Sequence, residues 1–234
     1  MLDTRFWKKY FAVYDCLNYL IPNQELLDVL RKKLEIKSGD KILDAGAGTG
    51  NLAILLVKDS GVVIGLDSSH EGLEIFKKKL PQSEVVEASL ETSLPFPSDY
   101  FDKIVSNNTI YTLNPEIRQK VFNEFYRVIK PGGIIAISNV HVNFNPLSIY
   151  LEHVKKSLRI LGLVKTISAI ISLAIPTLKI FYYNGQIQRE HSKGTFKFMK
   201  KNEQAEYLKK SGFKHVSENT YTYANQAILN SAVK

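Results

Sequence analysis

A loop with three glycines follows a short apolar run early in the chain. The run Lys41–Ala45, KILDA, carries the carboxylate of Asp44, and Gly46, Gly48 and Gly50 follow at alternate positions. Glycine has no Cβ and adopts positive φ readily, so a ligand can approach the backbone of such a loop closely. The residues therefore predict a binding loop between a buried strand and a helix.

Two phosphate-binding motifs place their glycines differently from this loop. The dinucleotide fingerprint G-x-G-x-x-G requires a third glycine where Asn51 stands, and a P-loop requires G-K-[ST] where the chain has Gly50-Asn51-Leu52. A carboxylate at Asp44 also repels a pyrophosphate and attracts a cation. S-adenosylmethionine carries an ammonium and a sulfonium group and no phosphate, so it suits this charge. A glycine-rich turn without a ligand is the alternative.

Polar side chains also end two later apolar runs. Asp67 follows VVIGL at 62–66, and Asn107 ends KIVSN at 103–107. The carboxyl ends of parallel strands meet at one edge of an α/β sheet, where ligands bind. An acid in the place of Asp67 accepts hydrogen bonds from ribose hydroxyls, and its alternative role is a helix N-cap with Ser68 and Ser69. Asn107 is a candidate for binding the methionine part of a cofactor.

Three further segments complete a family pattern. Leu94-Pro95-Phe96 precedes Phe101-Asp102, and a helix predicted over 115–130 ends at Pro131-Gly132-Gly133 before the apolar run IIAIS at 134–138. With the glycine loop, these segments resemble class I S-adenosylmethionine-dependent methyltransferases over about 36–139 and 200–234. The resemblance implies an α/β fold with a Rossmann-like, doubly wound sheet of seven strands, mostly parallel with an antiparallel C-terminal hairpin.

The resemblance also implies S-adenosylmethionine as the cofactor and a set of residues that bind it. These are Asp44, Ala45, Gly46, Gly48, Gly50, Asp67, Ser68, Ser89, Leu90 and Asn107, with Tyr10 from the N-terminal segment. Ser89-Leu90 stands where the family often has an acid at the adenine edge, so backbone groups and apolar contact are expected to hold adenine. The motif [DNS]-P-P-[YFW] of nucleic-acid amino-methyltransferases is absent from Ser106-Asn107-Asn108-Thr109, which makes nucleic acid an unlikely substrate.

The N-terminal segment is dense in aromatic residues. Phe6–Leu20 has its apolar residues at helical spacing, and a second helix is predicted from Pro22 to Glu35, so residues 1–36 are predicted to form a helical cap. Plain core packing is the alternative. Tyr14-Asp15-x-Leu17-Asn18 also resembles the Y-D-x-x-N opening of ubiquinone/menaquinone C-methyltransferases, which favours a lipophilic acceptor.

The segment 142–196 lies outside the family pattern and is predicted to be a helical lid or insertion. It holds seven Lys or Arg against two Glu, an excess of five within a net charge of +8 for the chain. Its longest uncharged run, Thr166–Leu178, has 13 residues and contains Pro176, whereas a membrane span needs about 20. The pattern therefore predicts a lid packed on the sheet, or an interfacial helix that meets an anionic membrane surface.

Methyl transfer from a sulfonium is an in-line displacement, to which a protein contributes alignment and exclusion of water. A hydroxyl or carbon-acid acceptor also needs a base. His141 is the best-placed candidate, and Tyr14, Tyr111 and His191 beside Glu190 come next. The single Cys16 and the lack of suitably spaced histidines and carboxylates predict no metal site.

Length and composition predict one globular domain over residues 1–234, with 44% hydrophobic and 23% charged residues. The N-terminus MLDTRFWKKYF has no secretory signal, so a cytoplasmic protein with peripheral membrane contact is expected. The leading hypothesis is a methyltransferase that acts on a small, lipophilic or lipid-like acceptor. The alternatives are a catalytically silent cofactor-binding protein that docks on membranes and a nucleic-acid methyltransferase.

Overall fold

The structure is a computed structural model that describes residues 4–194 and 197–234. Residues 1–3 of the predicted cap and 195–196 of the predicted insertion lie outside the described residues. The helices are α1 (Thr4–Tyr14), α2 (Ile21–Lys33), α3 (Ala53–Ser60), α4 (His70–Lys79), α5 (Pro115–Val128), α6 (Pro146–Leu161), α7 (Leu163–Lys193) and α8 (Glu203–Lys210). The strands are β1 (Lys41–Ala45), β2 (Val62–Asp67), β3 (Glu84–Glu87), β4 (Phe101–Asn107), β5 (Ile129–Val140), β6 (Thr220–Thr222) and β7 (Ala227–Val233).

The strands form one sheet of seven in the order β3-β2-β1-β4-β5-β7-β6. The first five strands pair in parallel, β7 pairs with β5 antiparallel, and β6 pairs with β7 antiparallel. The predicted fold class is therefore confirmed. The chain leaves β1 toward β3 and returns to β4 on the other side of β1, so β1 and β4 flank the point where the strand order reverses. In such sheets ligands bind at the carboxyl ends of these two strands.

The central strands are apolar because helices cover both faces of the sheet. Ile42 and Leu43 of β1 and Ile104 and Val105 of β4 are fully buried. The fifth strand is longer than predicted, since it begins at Ile129 directly after α5. Its pairing with β4 shifts from Phe101↔Ile129 to Lys103↔Ile134. Pro131-Gly132-Gly133, which lie between Ile129 and Ile134, therefore form a bulge within β5 and do not separate α5 from the strand.

The N-terminal segment is helical as predicted only to Tyr14, where α1 gives way to a 3₁₀ turn over Asp15–Tyr19. Asp15 explains the change, because its carboxylate accepts hydrogen bonds from Thr49 Oγ1 and Lys79 Nζ at 2.8 Å each. The turn therefore connects the N-terminal helices directly to the glycine loop and to α4.

Within the segment 142–196, residues 146–193 fold as two helices joined at Gly162, whose φ is +77°. The proline at 176 was expected to interrupt the uncharged run. It does not break the helix, since α7 runs continuously for 31 residues through Pro176. The later part of α7 packs on α1, where the ring of Tyr183 lies 5.5 Å from that of Phe6. On the other side, α6 contacts α2, and Lys156 Nζ donates to both Glu25 carboxylate oxygens at 2.6 Å.

The fully buried Arg118 of α5 holds together the loops beside the carboxyl ends of β4 and β5. Its guanidinium donates to the carbonyl oxygens of Tyr111 at 2.9 Å and Leu113 at 3.2 Å, and to that of Lys197. It also pairs with the Glu203 carboxylate at 3.1 Å. One cation therefore satisfies acceptors from three separate segments.

We expect Arg118→Met to lower the free energy of unfolding by about 3–5 kcal/mol, because the buried carbonyls and the carboxylate lose their donor. Arg31→Met is the matched control. Arg31 pairs with Asp28 and Asp59 at the surface, and its loss should cost only about 1 kcal/mol. Urea denaturation measures both values, and equal losses would contradict the role assigned to Arg118.

Candidate active site

A cavity of about 580 Å³ lies at the carboxyl ends of the strands around the β1–β4 boundary. The structure brings eleven of the predicted site residues to its wall: Tyr10, Tyr14, Asp44, Gly46, Gly48, Asp67, Ser68, Ser89, Leu90, Asn107 and Tyr111. Ala45, Gly50, His141 and His191 were also predicted and do not line it. Ala45 is fully buried behind the loop, where its carbonyl accepts from Ser106 Oγ at 2.8 Å.

The glycine loop requires glycine for packing as well as for conformation. Gly46 and Gly50 have φ values of +81° and +76°. A Cβ on Gly46 would lie 2.3 Å from the Thr109 side chain, and one on Gly50 would lie 2.6 Å from the Phe76 ring. Gly50 therefore supports the loop from behind by contact with Phe76, and it does not face the cavity.

Asp67 fixes the glycine loop through its carboxylate. One oxygen accepts from the backbone N–H of Gly48 and the other from that of Ser69, at 2.8 Å each. Ser69, not Ser68, caps α4, since its hydroxyl accepts from the Gly72 N–H at 3.2 Å. Each carboxylate oxygen of Asp67 retains a lone pair for a ligand donor. Burial raises the pKa of Asp67.

Three buried oxygen atoms of the cavity wall have no hydrogen-bond partner among the described residues. They belong to the side chains of Asp44, Asn107 and Asn108, at or just beyond the ends of the neighbouring strands β1 and β4. Burial and the nearby Asp67 carboxylate raise the pKa of Asp44 to about 7. Unpartnered buried acceptors are costly, so this corner of the cavity is suited to a cationic hydrogen-bond donor.

Tyr14 lies in the cavity, but its surroundings do not make it a base. Burial, with the carboxylates of Asp15, Asp44 and Asp67, raises the pKa of its phenol to about 12. Burial likewise raises the pKa of Tyr111. Both side chains therefore stay protonated at neutral pH and act as hydrogen-bond donors.

The structure does not bring His141 to the cavity. The fifth strand continues to Val140, which lines the cavity, and successive side chains of a strand point to opposite faces. His141 Nε2 lies 2.7 Å from the Asn225 carbonyl oxygen, and its Nδ1 accepts from the Asn143 N–H at 3.1 Å. His191 also lies elsewhere, stacked on Phe198 with 4.3 Å between ring centroids.

The other side of the cavity was largely missed by the sequence analysis. Following the sheet order, we call it the β5 side, formed by Leu17, Asn23, Leu27, Tyr111, Thr112, Leu113, Asn114, Val140, Phe144, Asn184 and Tyr223. These residues come from five separate segments, and only Tyr111 and the aromatic spacing of the N-terminal segment pointed toward this side. None of the described residues that line the cavity is Lys, Arg or His. The β5 side is therefore neutral and largely apolar.

Comparison with known proteins identifies a family for the part of the chain that carries the glycine loop. Residues 43–137 match a family described as a methyltransferase domain. The resemblance to class I S-adenosylmethionine-dependent methyltransferases is thereby confirmed. The matched part of the methyltransferase domain runs from β1 to β5 and includes the glycine loop, Asp67 and Asn107. It does not include the N-terminal helices or α6 and α7.

Relatives and solved structures point to the same domain. An uncharacterised methyltransferase of Synechocystis is 32% identical over 51% of this chain and 58% of its own length. A ubiquinone/menaquinone biosynthesis C-methyltransferase of Francisella tularensis is 33% identical over 57% of each chain. The chain thus spans a little over half of the length of these curated relatives. A Haloferax volcanii protein solved in complex with a methyltransferase activator shares the fold, with 14% identity, a TM-score of 0.64 and coverage of 97% and 96%.

The packing of the glycine loop predicts that alanine destabilises the protein more at Gly50 than at Gly61, although the two glycines have nearly the same φ. Gly50→Ala and Gly61→Ala both place a Cβ at a φ near +78°, but only the Cβ at residue 50 meets another group. We expect Gly61→Ala to cost about 1 kcal/mol of unfolding free energy, and Gly50→Ala about 1–3 kcal/mol more. Urea denaturation of both variants tests this, and equal costs would show that Phe76 yields without penalty.

Proposed function

We propose that this chain transfers the methyl group of S-adenosylmethionine to a small, lipophilic acceptor that carries no charge of its own at the site. The observation that carries the proposal is the set of unpartnered acceptor oxygens on Asp44, Asn107 and Asn108 beside the glycine loop. They suit the ammonium group of this cofactor, and the cofactor's lack of phosphate suits a cavity whose described lining has no basic residue.

The residues around the glycine loop and the carboxyl ends of β1 to β4 divide among the parts of the cofactor. Asp44, Asn107 and Asn108 would bind the ammonium, and the free lone pairs of Asp67 would accept from the ribose hydroxyls. Ser89 and Leu90, which line the cavity after β3, would contact the adenine. When bound, the cofactor supplies an activated methyl group on its sulfonium.

The protein's own contribution is alignment and exclusion of water. Helix α1 lines the cavity with the aromatic side chains of Trp7, Tyr10, Phe11 and Tyr14, whereas α7 contributes Asn184. The phenols of Tyr14 and Tyr111, which line the cavity, hold their protons, and none of the described lining residues is a histidine. The acceptor is therefore a group that reacts without a strong base, such as a neutral amine or an acidic carbon or hydroxyl that ionises unaided.

The β5 side determines which acceptors bind. Its walls are aliphatic, aromatic and amide side chains, which favour a flat or branched apolar molecule over one that carries phosphate. The relative from Francisella tularensis is named for quinone biosynthesis, which supports a lipophilic ring as one acceptor of this kind. A nucleic-acid acceptor is not favoured, because basic residues are absent from the described wall of the cavity.

The ionisation of Asp44 makes cofactor binding depend on pH. With its pKa at about 7, the Asp44 carboxyl is protonated below pH 7 and must release its proton before an ammonium can bind. We expect the Kd of S-adenosylmethionine to fall by up to about tenfold for each unit that the pH rises toward 7, and to change little above pH 7. Titration calorimetry across this range measures the effect, and an absence of binding at every pH would contradict the proposed function.

Asp44→Asn separates binding from stability. In the folded protein the pKa of the Asp44 carboxyl lies above its ordinary value of 3.8. The folded protein therefore binds this proton more tightly than the unfolded chain, and the free energy of unfolding falls as the pH rises from about 4 to 7. The variant should therefore bind cofactor poorly, yet raise the ligand-free unfolding free energy by on the order of 2–4 kcal/mol at about pH 8. Asp28→Asn, at a surface ion pair with Lys32, is the control and should do neither.

The acceptor class is tested with labelled cofactor and cell extract separated into organic and aqueous phases. We expect the label in the organic phase. Asn184, half-buried on the β5 side, offers a matched pair of variants. Asn184→Asp should raise the KM for the extracted acceptor about tenfold or more, since a charge faces an apolar ligand. Asn184→Leu should change it less than about threefold.

Two results would count against this acceptor class. Label that stays in the aqueous phase would indicate a polar acceptor, and equal effects of the two Asn184 variants would place the acceptor elsewhere. Cofactor binding without transfer to any fraction would favour the catalytically silent alternative.

A further inference from the structure

One face of α7 is apolar and exposed along much of its length. It carries Val164, Ile167, Ile171, Ile175, Leu178 and Tyr182, which we call the α7 stripe. Successive members are three or four residues apart, so they share one side of the helix. Their exposed fractions run from 48% to 81%, far above what apolar side chains of a lid packed on a sheet would show. The described chain therefore leaves this face uncovered.

The apolar area extends onto the tip where α6 meets α7. Leu158, Ile160, Leu161 and Leu163 are exposed at 41% to 68% around Gly162. They and the α7 stripe lie on one helical hairpin. Soluble monomers rarely expose apolar patches of this extent without a function.

The same face of α7 becomes basic toward the helix C-terminus. Arg189 and Lys193 follow Tyr182 by seven and eleven residues, which places them on the side of the α7 stripe. Both are exposed. Arg159 and Lys165 are exposed beside the tip, and long basic side chains can reach head groups from an apolar surface. Basic residues therefore flank the α7 stripe at both ends, which suits an apolar face that meets anionic lipid head groups.

The length of α7 would also allow a membrane span, but its packing opposes one. An 18-residue window of this helix has a mean hydropathy of 1.6 and is 11% buried, so length and composition alone permit a span. Farther along, Ile180 and Ile187 are buried in the core, and Tyr10 and Tyr183 have their rings 6.0 Å apart. A span would strip this part of α7 from the cap, whereas contact with a surface leaves it in place.

We propose that the α7 stripe and the tip dock on an anionic bilayer surface. The exposed side chains of Arg159, Lys165 and Arg189 supply the complementary charge. Lys193 is exposed beside them and also pairs with Glu190 at 2.9 Å. The inference deepens the proposed function, since it names the bilayer as the partner from which a lipophilic acceptor reaches the cavity. Vesicle binding itself does not depend on methyl transfer.

Flotation with vesicles of phosphatidylcholine, with and without phosphatidylglycerol, tests the docking. We expect binding to the anionic vesicles and at least about tenfold weaker binding to neutral ones. Added salt should weaken the binding. Full-length protein is used, and calorimetry with S-adenosylmethionine without vesicles is run in parallel, so that failure of docking and failure of cofactor binding are read separately.

Matched variants locate the surface. Ile171→Ser with Ile175→Ser should lower vesicle affinity about tenfold or more, whereas Val62→Ser, at an exposed apolar residue of β2, should not. Arg189→Gln with Lys193→Gln should weaken binding to anionic vesicles about tenfold, and Lys209→Gln with Lys210→Gln on α8 should not. All four residues of the charge variants are exposed, and a melting curve for each variant confirms folding.

Two outcomes overturn the proposal. The first is no flotation with anionic vesicles by protein that binds the cofactor. The second is a stable dimer in sedimentation that Ile171→Ser with Ile175→Ser dissociates and that does not float, since a second copy would then cover the stripe.

Discussion

The burial of two neighbouring carboxylates is the constraint on which the site depends. Asp44 lies one residue before the end of β1 and Asp67 ends the adjacent parallel strand β2. Burial raises the pKa of both carboxyls, and the Asp67 carboxylate raises that of Asp44 further. Asp67 is compensated by two backbone N–H groups, one of which belongs to Gly48. Asp44 keeps one oxygen without a partner. Asp67 therefore fixes the glycine loop by hydrogen bonds, whereas Asp44 has an unpartnered oxygen to which a cationic ligand can donate.

The rest of the fold keeps this region in place. Asp15 connects the N-terminal turn to Thr49 of the loop and to Lys79, whose ammonium also donates to Asn51 at 2.7 Å. On the other side, Arg118 fixes the segment after β4 that carries Tyr111. The cap and the acceptor side are therefore positioned by buried or half-buried polar contacts, while apolar packing of the sheet provides most of the stability.

The sheet and the cofactor side could be predicted from sequence because their signals are local. Glycines, strand-end acids and apolar runs lie within a few residues of each other, and their chemistry follows from residue type. The β5 side could not, because Val140, Asn184 and Tyr223 meet only through the long pairing of β5 with β7 and the packing of α7. His141 was wrongly expected at the cavity because β5 was predicted to end at residue 138. The strand continues to Val140, which lines the cavity, and the next side chain, that of His141, points to the opposite face.

The same helix takes part in the cavity and in the exposed apolar surface, which gives α7 two roles that constrain each other. Asn184 lines the cavity six residues after Leu178 of the α7 stripe, a distance of about 9 Å along the helix axis. The sequence left open whether this segment is a lid packed on the sheet or an interfacial helix, because composition does not distinguish a helix covered by protein from one covered by lipid. The distinction follows from burial: Ile180 and Ile187 face the core, whereas Ile171 and Ile175 face outward. A helix with both faces apolar over part of its length needs two partners, and the described fold supplies only one.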